Sequence, residues 1–295
     1  LTPASIIPVF GSQRPYADLN FAGGSFGLAG QSVSNLTALS GFTFTRASLA
    51  MGYDATGKLV YGPNNLLLQS QTFGTTWTAT QVTVGSNVIA APDGTMTADS
   101  LIATAVSSQH RADQTPSSPA GPQVFSVYAK AGAYNYVGLR IGTVGAGFDL
   151  TTGATSSVTG GITATASSVG NGWWRCAIHY ATAAANDICR ANIADGSSFA
   201  PTFTGDGVSA GIYLWGAQLE AVTYQTTPST YYPTTTAAYY GPRLVYDPVT
   251  LASQGILVEE ARTNLLTQSQ NLATALTVSN SVLTAAAATS PDGTV

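Results

Sequence analysis

The chain has 295 residues, of which only 8% are charged, with a formal net charge of −4 and 31 glycines. An acidic balance without a basic stripe argues against a nucleic-acid partner, and no apolar run approaches the ~18 residues of a spanning helix. The aliphatic and aromatic content can fill a core, so the chain is too apolar for disorder.

Residues 1–40 are rich in Gly, Pro and Ser without sustained periodicity, which reads as an extended N-terminal anchoring arm. Residues 41–63 form a short β connector, with GFTFTRAS and KLVY alternating as strands around the turn DATGK. From 64 to 236 strand candidates recur roughly every ten residues: WTATQVTV, MTADSLIAT, QVFSVYAKA, YVGLRIG, GFDLTTG, ITATASSV, WWRCAIHY, DICRANIA and GIYLWGAQLE. No amphipathic helix interrupts them. The expected fold is all-β, an antiparallel β-sandwich of jelly-roll type. Residues 237–262 then read as a linker or connector, preceded by Thr/Tyr/Pro-rich chain.

A repeat runs through this order. NNLLLQSQTF at Asn64 returns as TNLLTQSQNL at Thr263, and APDGT at Ala91 returns as SPDGT at Ser290, both at an offset of 199. KLVYGP at Lys58 returns as RLVYDP at Arg243, an offset of 185, so the second connector carries fourteen additional residues, VTLASQGILVEEAR. Loops absorb such insertions. Residues 263–295 are therefore expected to begin a second, truncated module, and the chain to be the N-terminal part of a longer protein.

Alternation assigns the faces. Phe125, Val127 and Ala129 should point inward, with Ser126, Tyr128 and Lys130 outside. Val137, Leu139 and Ile141 should be core, with Tyr136 and Arg140 outside. Trp174, Cys176, Ile178 and Tyr180 should point in, and Trp173, Arg175 and His179 out. If WWRCAIHY and DICRANIA close as a hairpin around Thr182 and Ala183, Cys176 lies opposite Cys189, Arg175 opposite Arg190, and Trp173 opposite Asn192. Buried free thiols are the expected state of the two cysteines.

The words FTFTRAS, NLLLQSQTF…W, APDGT…AD, SVYAKAG, FDLTTG, NGWWRC and YLWGAQLEA…PSTYYPTT resemble a module of virion appendage proteins of tailed bacteriophages and gene-transfer particles, of head spike, head fibre or tail fibre type. YDP…GILVEEARTNLL resembles the connector between such modules. The resemblance implies a structural protein of the phage particle surface, assembled in the bacterial cytoplasm. Its partners would be capsid or tail proteins held through the N-terminal arm, and copies of itself in a homo-oligomer, most simply a trimer. Its modules would project for host attachment. More distantly, NLLLQSQTFGTTW and IYLWGAQLE are similar to the paired end strands of jelly-roll carbohydrate-binding modules. That family's structural calcium would have to use Glu220 and Asp206 here, because Gly74 and Gly216 stand at the ligand positions, and no cofactor is expected.

Neither His110 nor His179 sits in a zinc or triad motif, there is no G-x-S-x-G elbow, and most acids fall in turns. The segment is therefore expected not to be an enzyme. Aromatic rings beside Arg, His and amide groups on an exposed sheet are what a polysaccharide site uses, and equally what a subunit interface uses. The candidate surface is Tyr128, Lys130, Tyr136, Arg140, Trp173, Arg175, His179 and Arg190. Two rival readings stay open: a tail-associated depolymerase whose catalytic part lies beyond Val295, and a capsid-decorating protein without a receptor.

Overall fold

The computed structural model describes Phe44, residues 46–196 and 198–257, and the backbone of three strands nearer the N-terminus. The second copy of the repeat, residues 263–295, and most of GFTFTRAS lie outside the described residues. The three strands are β1 (Ala17–Asn20), β2 (Ser25–Leu28) and β3 (Gln31–Val33), paired as an antiparallel meander where the sequence reads as an extended arm. Strands of three or four residues are too short to leave a legible alternation.

The chain divides into two compact units, one made of Pro63–Gly241 with Arg46–Leu49, the other including Ala50–Gly62 and the chain from Pro242. In the latter, β4 (Met51–Tyr53) and β5 (Leu59–Tyr61) form a hairpin around a turn in which the Asp54 carboxylate accepts from Thr56 N and Lys58 N.

The larger unit is a sandwich of two six-stranded antiparallel sheets. It begins at β6 (Asn64–Asn65), β7 (Thr78–Thr80), β8 (Val82–Ile89) and β9 (Ala98–Ala103). It continues through β10 (Ser107–Ser108), β11 (Arg111–Gln114), β12 (Gly121–Ala131), β13 (Tyr136–Ile141), β14 (Val144–Asp149) and β15 (Thr155–Ser156). Then come β16 (Thr163–Gly170), β17 (Trp173–Ala183), β18 (Cys189–Ala194), β19 (Phe203–Thr204), β20 (Ile212–Ala221) and β21 (Tyr239–Tyr240). The first sheet has the order β16-β17-β12-β20-β9-β8 and the second β15-β14-β13-β18-β11-β7. The chain passes repeatedly from one sheet to the other, so neighbours in sequence are often not neighbours in a sheet. There is no helix among the described residues. The repeated connector word LVY is a strand again at β22 (Leu244–Tyr246), and β23 (Ser253–Ile256), which pairs with it, is built from the inserted residues.

The core follows the alternation. Phe125, Val127, Ala129, Val137, Leu139, Ile141, Cys176 and Ile178 are all buried between the sheets. The end of the module is tied by the repeated Asn of NNLL. Asn65 donates to the carbonyls of Ala217 and Tyr232 and accepts from Leu67 N and Leu219 N, so all its polar capacity is used in a fully buried place. Asn264 stands at the same place in the second word.

One expected pairing does not form. β17 pairs with β12 and β16 in the first sheet, whereas β18 pairs with β11 and β13 in the second. Cys176 and Cys189 are both buried and free, on different sheets, and Arg175 does not face Arg190. The symmetric hairpin fails because the Ala183–Asp187 turn carries the chain across the sandwich, held by Asn186 N on Ser118 O and Ala184 N on the Asp187 carboxylate.

Candidate functional site

The outer face of the first sheet is a grid of side chains fixed by register. Lys130 lies between Trp173 and Tyr213, Tyr128 between Arg175 and Trp215, Ser126 between Ala177 and Gln218, and Val124 between His179 and Glu220. The sequence expects this face to be open. Instead, residues 229–232 of the same chain lie over its middle. Gln218 donates to Thr230 O and accepts from Tyr232 N, Glu220 accepts from Ser229 N and its hydroxyl, and the Tyr231 ring packs on Trp215 at 4.8 Å. Arg175 holds the same segment by donating to Ser229 O, donates to Ser126 Oγ at 3.2 Å, and stacks over Tyr128 at 5.2 Å. Tyr128 and Arg175 are thus spent on packing. Burial raises the Tyr128 pKa, with Arg175 opposing, and burial likewise raises that of Glu220. His179, near the far edge of the grid, is half-buried, and burial lowers its pKa.

Trp173 is on the outer face, as the alternation predicts, but it is only 2% exposed. The loop Ala90–Gly94 folds over it, with the indole N–H on Ala90 O at 3.2 Å, and it packs with Ala91, Ala98 and Trp215. What remains open beside it is a cleft of about 390 Å³ lined by Ile89, Pro92, Lys130, Asn171, Trp173 and Tyr213. Its rim is made by the two-residue turn Asn171–Gly172, whose φ values of 53° and 78° are those a type I′ hairpin turn requires. The positive φ at Gly172 favours glycine there, and the Lys130 stem lies alongside it. The loop opposite is set by Asp93, whose carboxylate accepts from Thr95 N and Thr95 Oγ1. The cleft therefore presents an ammonium, a carboxamide and the partly exposed Tyr213 ring in one small concavity, with the buried Trp173 in its wall. Sequence reasoning found Lys130 and Trp173 but missed Asn171 and Tyr213. The NG turn signal was legible at 171–172, and its neighbour across the sheet was not.

The remaining three candidates are elsewhere. Tyr136, Arg140 and Arg190 lie on the outer face of the second sheet, so the eight residues do not form one surface. Asp206 and Glu220, the acids available to a calcium, stand at opposite ends of β20, roughly 30 Å of extended chain. Glu220 is engaged by Ser229, and Asp206 accepts from Val208 N and Ser209 N, so these residues do not fit a shared cation. His110 is fully buried with its ring nitrogens at 2.5 Å from Gln81 O and 3.0 Å from Phe203 O.

No family model matches the chain, and no curated protein does. Among solved structures it is similar to the enzymatically active domain of tailspike protein 4 of bacteriophage CBA120. The identity is 16% and the TM-score 0.33, over 52% of this chain and 21% of that one. That domain is described as enzymatically active, which stands against the expectation from the sequence that the segment is not an enzyme.

Proposed function

We propose that the chain is part of a tailed-phage virion appendage and that its sandwich module holds a host-surface polysaccharide. The cleft of Lys130, Asn171, Trp173 and Tyr213 carries this reading. A pyranose presents a C–H face that lies on an aromatic ring, while its hydroxyls take hydrogen bonds from an amide and an ammonium. The appendage motifs quoted above supply the particle context. The polymer is held either for attachment or for cleavage by a tail-associated depolymerase.

The test is incubation of the full chain with purified host capsule or lipopolysaccharide, followed by co-sedimentation and by size analysis of the polymer. Retention of the protein on the polymer is expected, and shortening of the polymer would assign the depolymerase role. Absence of any retention would remove the reading.

A further inference from the structure

The outer face of the second sheet concentrates positive charge that the cleft does not use. Arg140 on β13 and Arg190 on β18 are directly opposed across the ladder, and on its other side Arg190 is opposed by Asp113 on β11. Asp113 takes both of its basic neighbours, Arg111 Nε at 2.9 Å and Arg190 Nε at 3.3 Å. Arg111 also donates to Gln109 Oε1, and Arg140 Nε donates to Gly142 O at 2.6 Å. Two guanidiniums thus pair with one carboxylate, and a third, Arg140, is opposed to Arg190 on the side away from it. The terminal amino groups of Arg140 and Arg190 donate to no described residue. Like charges directly across a ladder are unfavourable unless an anion joins them. Burial, then Arg190 and Arg111, lower the Arg140 pKa.

The place is also shaped. The side chains of Arg111 and Arg190 are 20% and 19% exposed, reachable from water yet poorly screened by it. Beside them the chain around Phe199 lies on Gly138 and Gly145, forming a wall. The row from β13 to β11 spans about 10 Å, room for one charged sugar unit rather than a long anionic track.

We propose that Arg140 and Arg190, with Arg111 beyond Asp113 on the same face, bind the carboxylate of an acidic sugar unit, the terminal amino groups of Arg140 and Arg190 taking its two oxygens. The choice of a sugar acid rests on the polysaccharide reading. The site itself rests on different residues and a different sheet.

Thermal unfolding of the full chain with oligogalacturonate tests it, against a neutral maltooligosaccharide and against sodium sulfate at matched ionic strength. Oligogalacturonate is expected to raise Tm where the other two do not. Arg140→Gln should abolish that rise while leaving the ligand-free Tm equal or higher, because it removes one of two opposed charges. Arg140→Lys, which keeps the charge but loses the planar fork, should bind at least ten-fold more weakly with an intact fold. An equal rise with sulfate would mean an adventitious ion only and overturn the proposal. So would a rise that survives Arg140→Gln. A rise lost in Lys130→Ala but kept in Arg140→Gln would assign the acid to the cleft, overturning this site and leaving the cleft reading in place.

Discussion

The backbone of Phe199 rests directly on Gly138: a Cβ added at Gly138 would stand 1.7 Å from the Phe199 carbonyl oxygen. Glycine is needed there for close approach and not for its torsional freedom. Gly138→Ala should cost about 1–3 kcal/mol, the usual penalty of overpacking, and should displace the segment around Phe199 from the sheet. Urea unfolding combined with limited proteolysis checks this, the expected new cleavage falling between Phe199 and Pro201.

Trp173→Ala should destabilise the module by about 3–5 kcal/mol, the range for losing a buried large aromatic. Its ring fills the space among Ala91, Ala98 and Trp215, and its N–H leaves Ala90 O unpaired when removed. Equilibrium denaturation measures it. A change under 1 kcal/mol would mean that the ring is not packed as described.

Glu220 supplies a pH signature. Burial raises its carboxyl pKa above the usual Glu range, so the folded state holds the proton more tightly than the unfolded chain. The corresponding stability is fully present below the unfolded pKa of about 4.3 and is lost as pH rises through the folded value. Glu220→Gln should therefore gain on the wild type as pH rises from 4 to 8. Urea midpoints of both proteins at the two pH values provide the comparison. Asp99, also raised by burial, leaves a residual slope in both.

The thiols of Cys176 and Cys189 should be inert in the native protein. Each is fully buried, and burial pushes both thiols far above their ordinary pKa. Reaction with a thiol reagent should appear only on unfolding, with two equivalents released. Mobility on gels with and without reductant should be identical.

Much of the fold was legible because burial in a sandwich imposes a period of two. Phe125, Val127 and Ala129, like Val137, Leu139 and Ile141, are core residues as their alternation says. Which strands pair was not legible, because alternation fixes a strand's face and says nothing of its neighbour. Arg190 therefore faces Arg140 and Asp113 where a hairpin would have placed it against Arg175. RADQ at 111–114 is a central strand that its polar letters conceal: two residues face Arg190 and Asn192, and the others face the core. The outer face was misjudged for a different reason. Sequence can say that Trp173 and Arg175 point outward, but not that Ala90–Gly94 and residues 229–232 return to cover them. The work of Asn65 and Ser229 was not legible either, since Asn65 is held by backbone groups of Ala217 and Tyr232 and Ser229 by the side chains of Arg175 and Glu220, all distant in sequence or on other elements.

The most direct measurement of the central claim is binding of host polysaccharide by the wild type and by Lys130→Ala and Tyr213→Ala, read by calorimetry. Both changes lie at the rim of the cleft, and Lys130 is only partly buried. Each should weaken binding about 5- to 100-fold, equivalent to about 1–3 kcal/mol for a lost ring or charged contact, with an unchanged fold. Equal affinity in all three proteins would contradict the assignment of polysaccharide binding to this cleft.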